Sequence, residues 1–204
     1  MPGEITLAHR GVLFLDELPE FQRGALEALR EPLERDEVVI ARASGRATYP
    51  AHVLMVGAMN PTRQGRGRPG ADGSLKRLSG PLLDRIDLHV EVPAVPVSQL
   101  SMTNKSESSS SVRELVTAAW QVQRKRQGVI CNGRLTTRQL DELAPMTDLA
   151  GDLLHHAVDH IGLSARGWDR IRRISRTLAD LESLDVIEEQ HVAEALQYRW
   201  LDRI

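Results

Sequence analysis

The chain has 204 residues, 41% of them hydrophobic and 26% charged, a mixture that suits one or two globular domains and excludes wholesale disorder. Twenty-six basic against twenty-eight acidic side chains leave a net charge of −2, so the molecule as a whole has no pull toward polyanions and any basic site is local. No apolar run approaches the roughly 18–20 residues that span a bilayer, and the single cysteine, Cys131, excludes an internal disulfide framework or a Cys-rich zinc site; the chain reads as soluble and cytoplasmic, with no membrane partner.

Residues 11–15 form a continuous apolar run that stops at Asp16-Glu17, the pattern of a strand covered on both faces. Residues 22–33 have helical spacing through Leu26, Leu29 and Leu33, with Pro32 near the end. Short strand-like pieces at 38–40 and 47–49 predict a hairpin through Arg42 to Arg46, with Gly45 supplying the freedom of the turn. A second apolar run at 53–59 stops at Asn60-Pro61, and 88–93 predicts a third central strand. A polar, serine-rich stretch then predicts a linker at 97–111. Beyond it every signal is helical, over 112–127, 137–144, 149–161, 164–181 and 188–200, with Thr136 and Ser164 as caps and Gly162 as a stop. The expected organisation is an α/β domain over 1–96, the linker, and a helical domain over 112–204.

An acidic pair at the carboxyl end of a buried strand sits where open α/β sheets bind ligands. In nucleotide hydrolases such a pair divides labour: the first carboxylate helps to hold Mg²⁺ and the second polarises the attacking water, roles that fit Asp16 and Glu17. Asn60, at the tip of the neighbouring run, offers a neutral amide that can meet a γ-phosphate or that water without adding negative charge. Arg85, between Asp84 and Asp87, supplies a guanidinium of the kind that stabilises charge on a transferred phosphoryl group, usually from an adjacent subunit. Residues 62–79 carry five basic side chains against one acidic, a local +4 whose glycine-spaced Arg63, Arg66 and Arg68 suit a loop reaching phosphates. His155 and His156 with His160 include the i, i+4 spacing of a metal face, but without a third ligand they read as ordinary partly buried histidines. The arginines at 170, 172, 173 and 176 read as a solvated or intersubunit helix face.

In order, residues 3–21, 26–34, 57–61, 78–87 and 163–180 resemble the magnesium-chelatase-like AAA+ ATPases of the YifB/ComM family, over nearly the whole chain. The resemblance implies the rear part of an AAA+ P-loop core, a parallel sheet with helices, followed by an all-α lid. It implies ATP and Mg²⁺ as cofactors, with Asp16 and Glu17 as the Walker B pair, Asn60 as sensor 1 and Arg85 as an arginine finger. Arg166 would be the sensor 2 arginine, with Arg170, one turn along, as the reserve. The hairpin would be the pre-sensor 1 hairpin, pointing Arg42 and Arg46 at DNA phosphates in a central pore. In the family such chains form rings, hexamers in the expected case, that couple ATP hydrolysis to DNA branch migration or unwinding in recombination and natural transformation. The sequence holds no G-x-x-x-x-G-K-[ST] loop to cradle ATP phosphates. It is therefore expected to resemble the second half of an ATPase and to be inactive by itself. The competing readings are a non-catalytic DNA- or protein-interaction module and a metal-chelatase motor subunit.

Overall fold

A computed structural model describes residues 3–42, 45–60, 77–93 and 107–199, which fall into two compact units, Met1–Ile86 and Asp87–Ile204.

The first unit mixes helices and strands. After a short helix α1 (Glu4–Leu7) comes strand β1 (Val12–Leu15). The single helix expected over 22–33 is two, α2 (Arg23–Ala28) and α3 (Arg30–Arg35). Pro32 accounts for the break: in one continuous helix its ring would collide with the carbonyl of Ala28, four residues back, so the chain restarts and Pro32 lies in the first turn of α3. The hairpin forms as expected from β2 (Glu37–Arg42) and β3 (Gly45–Pro50), longer than its apolar pieces, with Gly45 at φ 138°. Strand β4 (Leu54–Gly57) then pairs in parallel with β1, and helix α4 (Gly80–Leu83) is capped by the Ser79 hydroxyl.

Leu15, Leu18, Leu26, Leu78 and Leu82 form the core of this unit, with Leu13, Met55 and Ile86 packed against it. Burial on both faces of the sheet is not what the structure shows. The register Val12↔Leu54 and Phe14↔Val56 lines up four apolar side chains on the face away from that core, and they are 58, 63, 58 and 40% exposed. A continuous apolar run says that both faces of a strand suit burial; it does not say which elements are there to cover them.

Residues 88–93 also depart from expectation. They take no strand pairing among the described residues, and Leu88, Val90 and Val92 are exposed. The alternation is that of a strand, but a strand needs a neighbour's ladder, and here the His89 N–H donates instead to the carbonyl of Tyr198, 2.7 Å away.

The second unit is helical: α5 (Ser109–Gln127), α6 (Thr137–Leu143), α7 (Asp148–Ile161), α8 (Ala165–Leu181) and α9 (Glu189–Gln197). Helix α5 starts inside the stretch read as linker, because the Ser108 hydroxyl accepts from the Ser111 N–H and turns the serine run into a cap. Thr136 and Gln139 close a reciprocal capping box, Ser164 caps α8, and Gly162 ends α7 at φ 71°. Helix α8 packs against α5, α6 and α9, around a core that includes Leu135, Leu140, Leu154, Ile171, Ile187 and Val192.

The arginines of α8 are a correction. Arg170, Arg172 and Arg176 are buried and Arg173 is half-buried. The Asp180 carboxylate, its side chain fully buried, accepts from Arg126 at 2.6 and 2.8 Å, from Asn132 at 2.7 Å and from Arg176 at 3.1 Å. Arg176 spends its other nitrogens on the carbonyls of Asp185 and Leu184, and the Asn132 N–H donates to Gln123. Burial alone would raise the Asp180 pKa; the hydrogen bonds from Arg126 and Asn132 and the charges of Arg176 and Arg126 outweigh it and hold the carboxyl below its usual range. This network fastens the end of α5 and the turn after it to α8.

Candidate functional site

Parallel pairing brings the carboxyl ends of β1 and β4 to one edge, so Asp16-Glu17 and Asn60 leave the sheet on the same side. Backbone bonds lock that edge. The Ala58 N–H donates to the Leu15 carbonyl and the Leu18 N–H to the Ala58 carbonyl, both at 2.9 Å. Between these clamps Glu17 takes a left-handed conformation, φ 51° and ψ 45°, which costs a non-glycine residue of order 1 kcal/mol or more. The conformation is held because Leu18 turns back into the core, 3% exposed, over Gly57; a Cβ on Gly57 would lie 3.0 Å from Leu18 Cδ2. The Asp16 carboxylate accepts from the Glu17 N–H at 3.0 Å. Asp16, Glu17 and Asn60 are all exposed.

Asp16 and Glu17 offer the hard oxygen donors that magnesium takes, one or two carboxylates with the remaining positions left to water and phosphate. Among the described residues no group of three or more His, Cys, Asp or Glu side chains converges. The pair therefore suits an ion that arrives with its own ligands rather than a resident metal cage. His155 bonds the Gly151 carbonyl and meets Trp168 edge-on, and His156 lies against His160 with the rings tilted at 56°.

Arg85 belongs to the same unit, and its guanidinium is engaged there. Nε donates to the Arg30 carbonyl at 3.1 Å, Nη1 to the Pro81 carbonyl at 2.6 Å, and Nη2 pairs with Glu34 of α3. Arg166 and Arg170 lie in the second unit, one turn apart on α8. Arg166 is exposed, whereas Arg170 is buried and pairs through Nε with Asp87 at 2.8 Å. On the hairpin, Arg46 is exposed, and the register Arg42↔Gly45 and Ala41↔Arg46 puts positions 42 and 46 on opposite faces of the ribbon. The side chain of Arg42 and all of Arg63, Arg66 and Arg68 lie outside the described residues.

Sequence reasoning missed Leu18 and Gly57, which shape the acidic turn, and Asp87, which it noted only as a chain neighbour of Arg85. The signal for the first pair was slight: a leucine following an acidic pair, and a glycine ending an apolar run. Asp87 and Arg170 are 83 positions apart, beyond the reach of any local pattern.

Residues 1–100 match the family described as magnesium chelatase, subunit ChlI, and residues 106–199 match magnesium chelatase, subunit ChlI C-terminal. Over 212 aligned residues the chain is 42% identical to the uncharacterized protein YifB of Escherichia coli strain K12 and to the competence protein ComM of Haemophilus influenzae, covering 100% of this chain and 42% of each relative. It is 28% identical over 214 residues to the DNA replication licensing factor Mcm6 of Drosophila melanogaster, covering 96% of this chain and 25% of that protein. The chain thus spans less than half the length of these relatives.

Proposed function

The chain belongs to the magnesium-chelatase family of YifB and ComM, and from that premise we propose that it supplies the magnesium- and water-handling side of an ATP-hydrolysing site in a ring-forming motor acting on DNA. The observation that carries this reading is the shared edge of β1 and β4, where two exposed carboxylates and an amide leave neighbouring parallel strands.

Bound Mg²⁺·ATP supplies the electrophilic phosphorus and a cation that neutralises charge building on the phosphates. Asp16 holds that cation, through water where needed. Glu17, on its left-handed turn, accepts the proton of the attacking water. Asn60 orients the water or the γ-phosphate and adds no charge. Arg85 serves the site of an adjacent subunit, which requires it to exchange Glu34 and two carbonyls for phosphate oxygens. Arg166, exposed at the start of α8, meets the nucleotide from the helical unit. The phosphate cradle comes from outside these 204 residues, since the sequence has no G-x-x-x-x-G-K-[ST] loop.

Self-assembly into a hexameric ring, a cytoplasmic setting and a DNA partner follow the same reading. The similarity to ComM, a competence protein, and to Mcm6, a DNA replication licensing factor, supports DNA over a porphyrin. The +4 segment at 62–79 and Arg42 and Arg46 of the hairpin are the proposed phosphate contacts.

The test is reconstitution. The chain alone is expected not to turn over ATP; mixed with the remaining portion of the relative YifB, it is expected to hydrolyse ATP faster when duplex DNA is added. Glu17→Gln is expected to abolish turnover while nucleotide binding persists. Failure of the mixture to hydrolyse ATP, or full activity of Glu17→Gln, sinks the proposal; turnover indifferent to DNA removes the DNA partner.

A further inference from the structure

We propose that His156 and His160 form a surface site on helix α7 for a divalent transition-metal ion of the nitrogen-seeking kind, Zn²⁺ or its neighbours Ni²⁺ and Cu²⁺. The site lies within one helix of the second unit and is independent of the Mg²⁺·ATP reading of Asp16 and Glu17.

The two histidines are four positions apart in α7, a helix of 14 residues, so their side chains leave the same face one turn from each other. That is the spacing at which a single helix presents two imidazoles to one zinc ion. The ring centroids lie 4.1 Å apart, and both residues are exposed rather than partly buried. Among the described residues neither ring has a hydrogen-bond partner, so its nitrogens are open to an ion. Zinc–nitrogen bonds of roughly 2.0–2.1 Å put two ligating nitrogens about 3 Å apart, a separation that rings already in contact reach by small side-chain rotations. His155 does not belong to the site. It stands about 100° round the helix from His156, where Nδ1 bonds the Gly151 carbonyl and the ring meets Trp168 at a centroid distance of 4.9 Å.

The charge around the pair favours a cation. Helix α7 carries Asp148, Asp152 and Asp159 and no Lys or Arg, and Asp152 lies one turn before His156 on the same face. His160 is in the last turn, where unsatisfied backbone carbonyls form the negative end of the helix. No group of three or more His, Cys, Asp or Glu side chains converges among the described residues, so the remaining coordination positions fall to water and the site is open and exchangeable rather than a closed structural cage. Imidazole nitrogen selects ions of this class over Mg²⁺ and Ca²⁺, which take oxygen. An ion shared by the two rings cross-links the last turn of α7 just before its stop at Gly162. The unfolded chain does not hold the rings together, so the bound ion favours the folded helix.

The test is titration of the untagged chain with Zn²⁺ alone, followed by calorimetry and by NMR of the histidine rings. One ion per chain is expected, moving the ring signals of His156 and His160 far more than those of His155. His156→Ala and His160→Ala should each weaken binding by at least the roughly 10- to 100-fold that loss of even an outer partner of a metal costs, whereas His155→Ala should leave it unchanged. All three positions are exposed, so the variants keep the fold, which circular dichroism without metal checks. Excess Mg²⁺ should not displace Zn²⁺. With free Zn²⁺ about 100-fold above Kd, thermal unfolding of the helices should rise by about 10 °C, and His160→Ala should lose that rise. No binding, binding that survives loss of either ring, ring shifts centred on another histidine, displacement by Mg²⁺ or an unmoved melting temperature would each overturn the proposal. No arm uses ATP turnover, so failure of the ATPase reading leaves this result standing, and the converse holds too.

Discussion

Replacing Asp180 with asparagine tests the physical centre of the helical unit. The side chains have the same shape, so Asp180→Asn opens no cavity, but it removes the one negative charge shared by Arg126 and Arg176 and points an NH₂ group at donors that now sit 2.6 to 3.1 Å from carboxylate oxygens. Arg176 is fully buried and cannot turn to water for compensation, and Arg126, 21% exposed, can do so only in part. Breaking a buried pair by removing one partner costs about 3–5 kcal/mol. In a unit of about 100 residues each kcal/mol lowers the melting temperature by about 4–8 °C, so the fall should be about 12 °C or more. Thermal unfolding of the chain followed at the helical circular dichroism band reads it, with Arg138→Ala as control. That arginine, 90% exposed, pairs with a Glu142 that is itself 61% exposed, and the pair is worth about 0–1 kcal/mol. The pH dependence adds a second arm. The folded Asp180 carboxyl lies below its unfolded value of about 3.9. Its contribution is therefore complete above that value and lost as pH falls through the folded pKa, so wild type and Asp180→Asn should converge in acid below about pH 4. A variant that melts within a few degrees of the Arg138→Ala control at pH 7 would refute the view that this carboxylate holds the unit together.

Gly57→Ala places a methyl 3.0 Å from Leu18 Cδ2; the overpacking should cost about 1–3 kcal/mol in urea unfolding of the first unit, and trimming the neighbour with Leu18→Val in the same chain should recover part of it. Full stability of Gly57→Ala would mean that Leu18 does not hold the turn at Glu17. Phe14→Thr with Leu54→Thr removes two large side chains from the exposed sheet face, where they are 58 and 63% exposed. Sedimentation or light scattering should show weaker self-association, while stability changes by no more than about 0.5 kcal/mol per site.

Much of this architecture was legible in the sequence because local chemistry fixed it. Thr136, Ser164 and Gly162 announced helix ends by side-chain capping and left-handed backbone, and the five helices after the Ser-rich stretch start and stop within three residues of their expected bounds. The strand ends at Asp16 and Asn60 were readable because an apolar run must stop where polar groups begin. Other features were hidden, most of them because they depend on long-range partners. Pro32 looked like the end of a helix, yet it marks the restart of a second one. The arginines of α8 looked solvated because polar side chains on a helix usually are; only the fold brings Asp180, Asn132 and the end of α5 beside them. Segment 88–93 carried a strand's alternation without the ladder that would have made it one. The last two failures have one cause, since periodicity describes what a face suits and is silent about its neighbour.

The exposed face of β1 and β4 bears on how tightly any ligand could be held at Asp16 and Glu17. Two short strands, covered on one side, open locally at small free-energy cost, and the strained turn at Glu17 exists only while Leu18 stays seated beneath them. A ligand that requires this arrangement sees its intrinsic affinity divided by the fraction of molecules holding it. Whatever covers Val12, Phe14, Leu54 and Val56 would raise that fraction without touching the ligand, so covering a hydrophobic surface on one side of the sheet becomes a control on binding at its carboxyl edge.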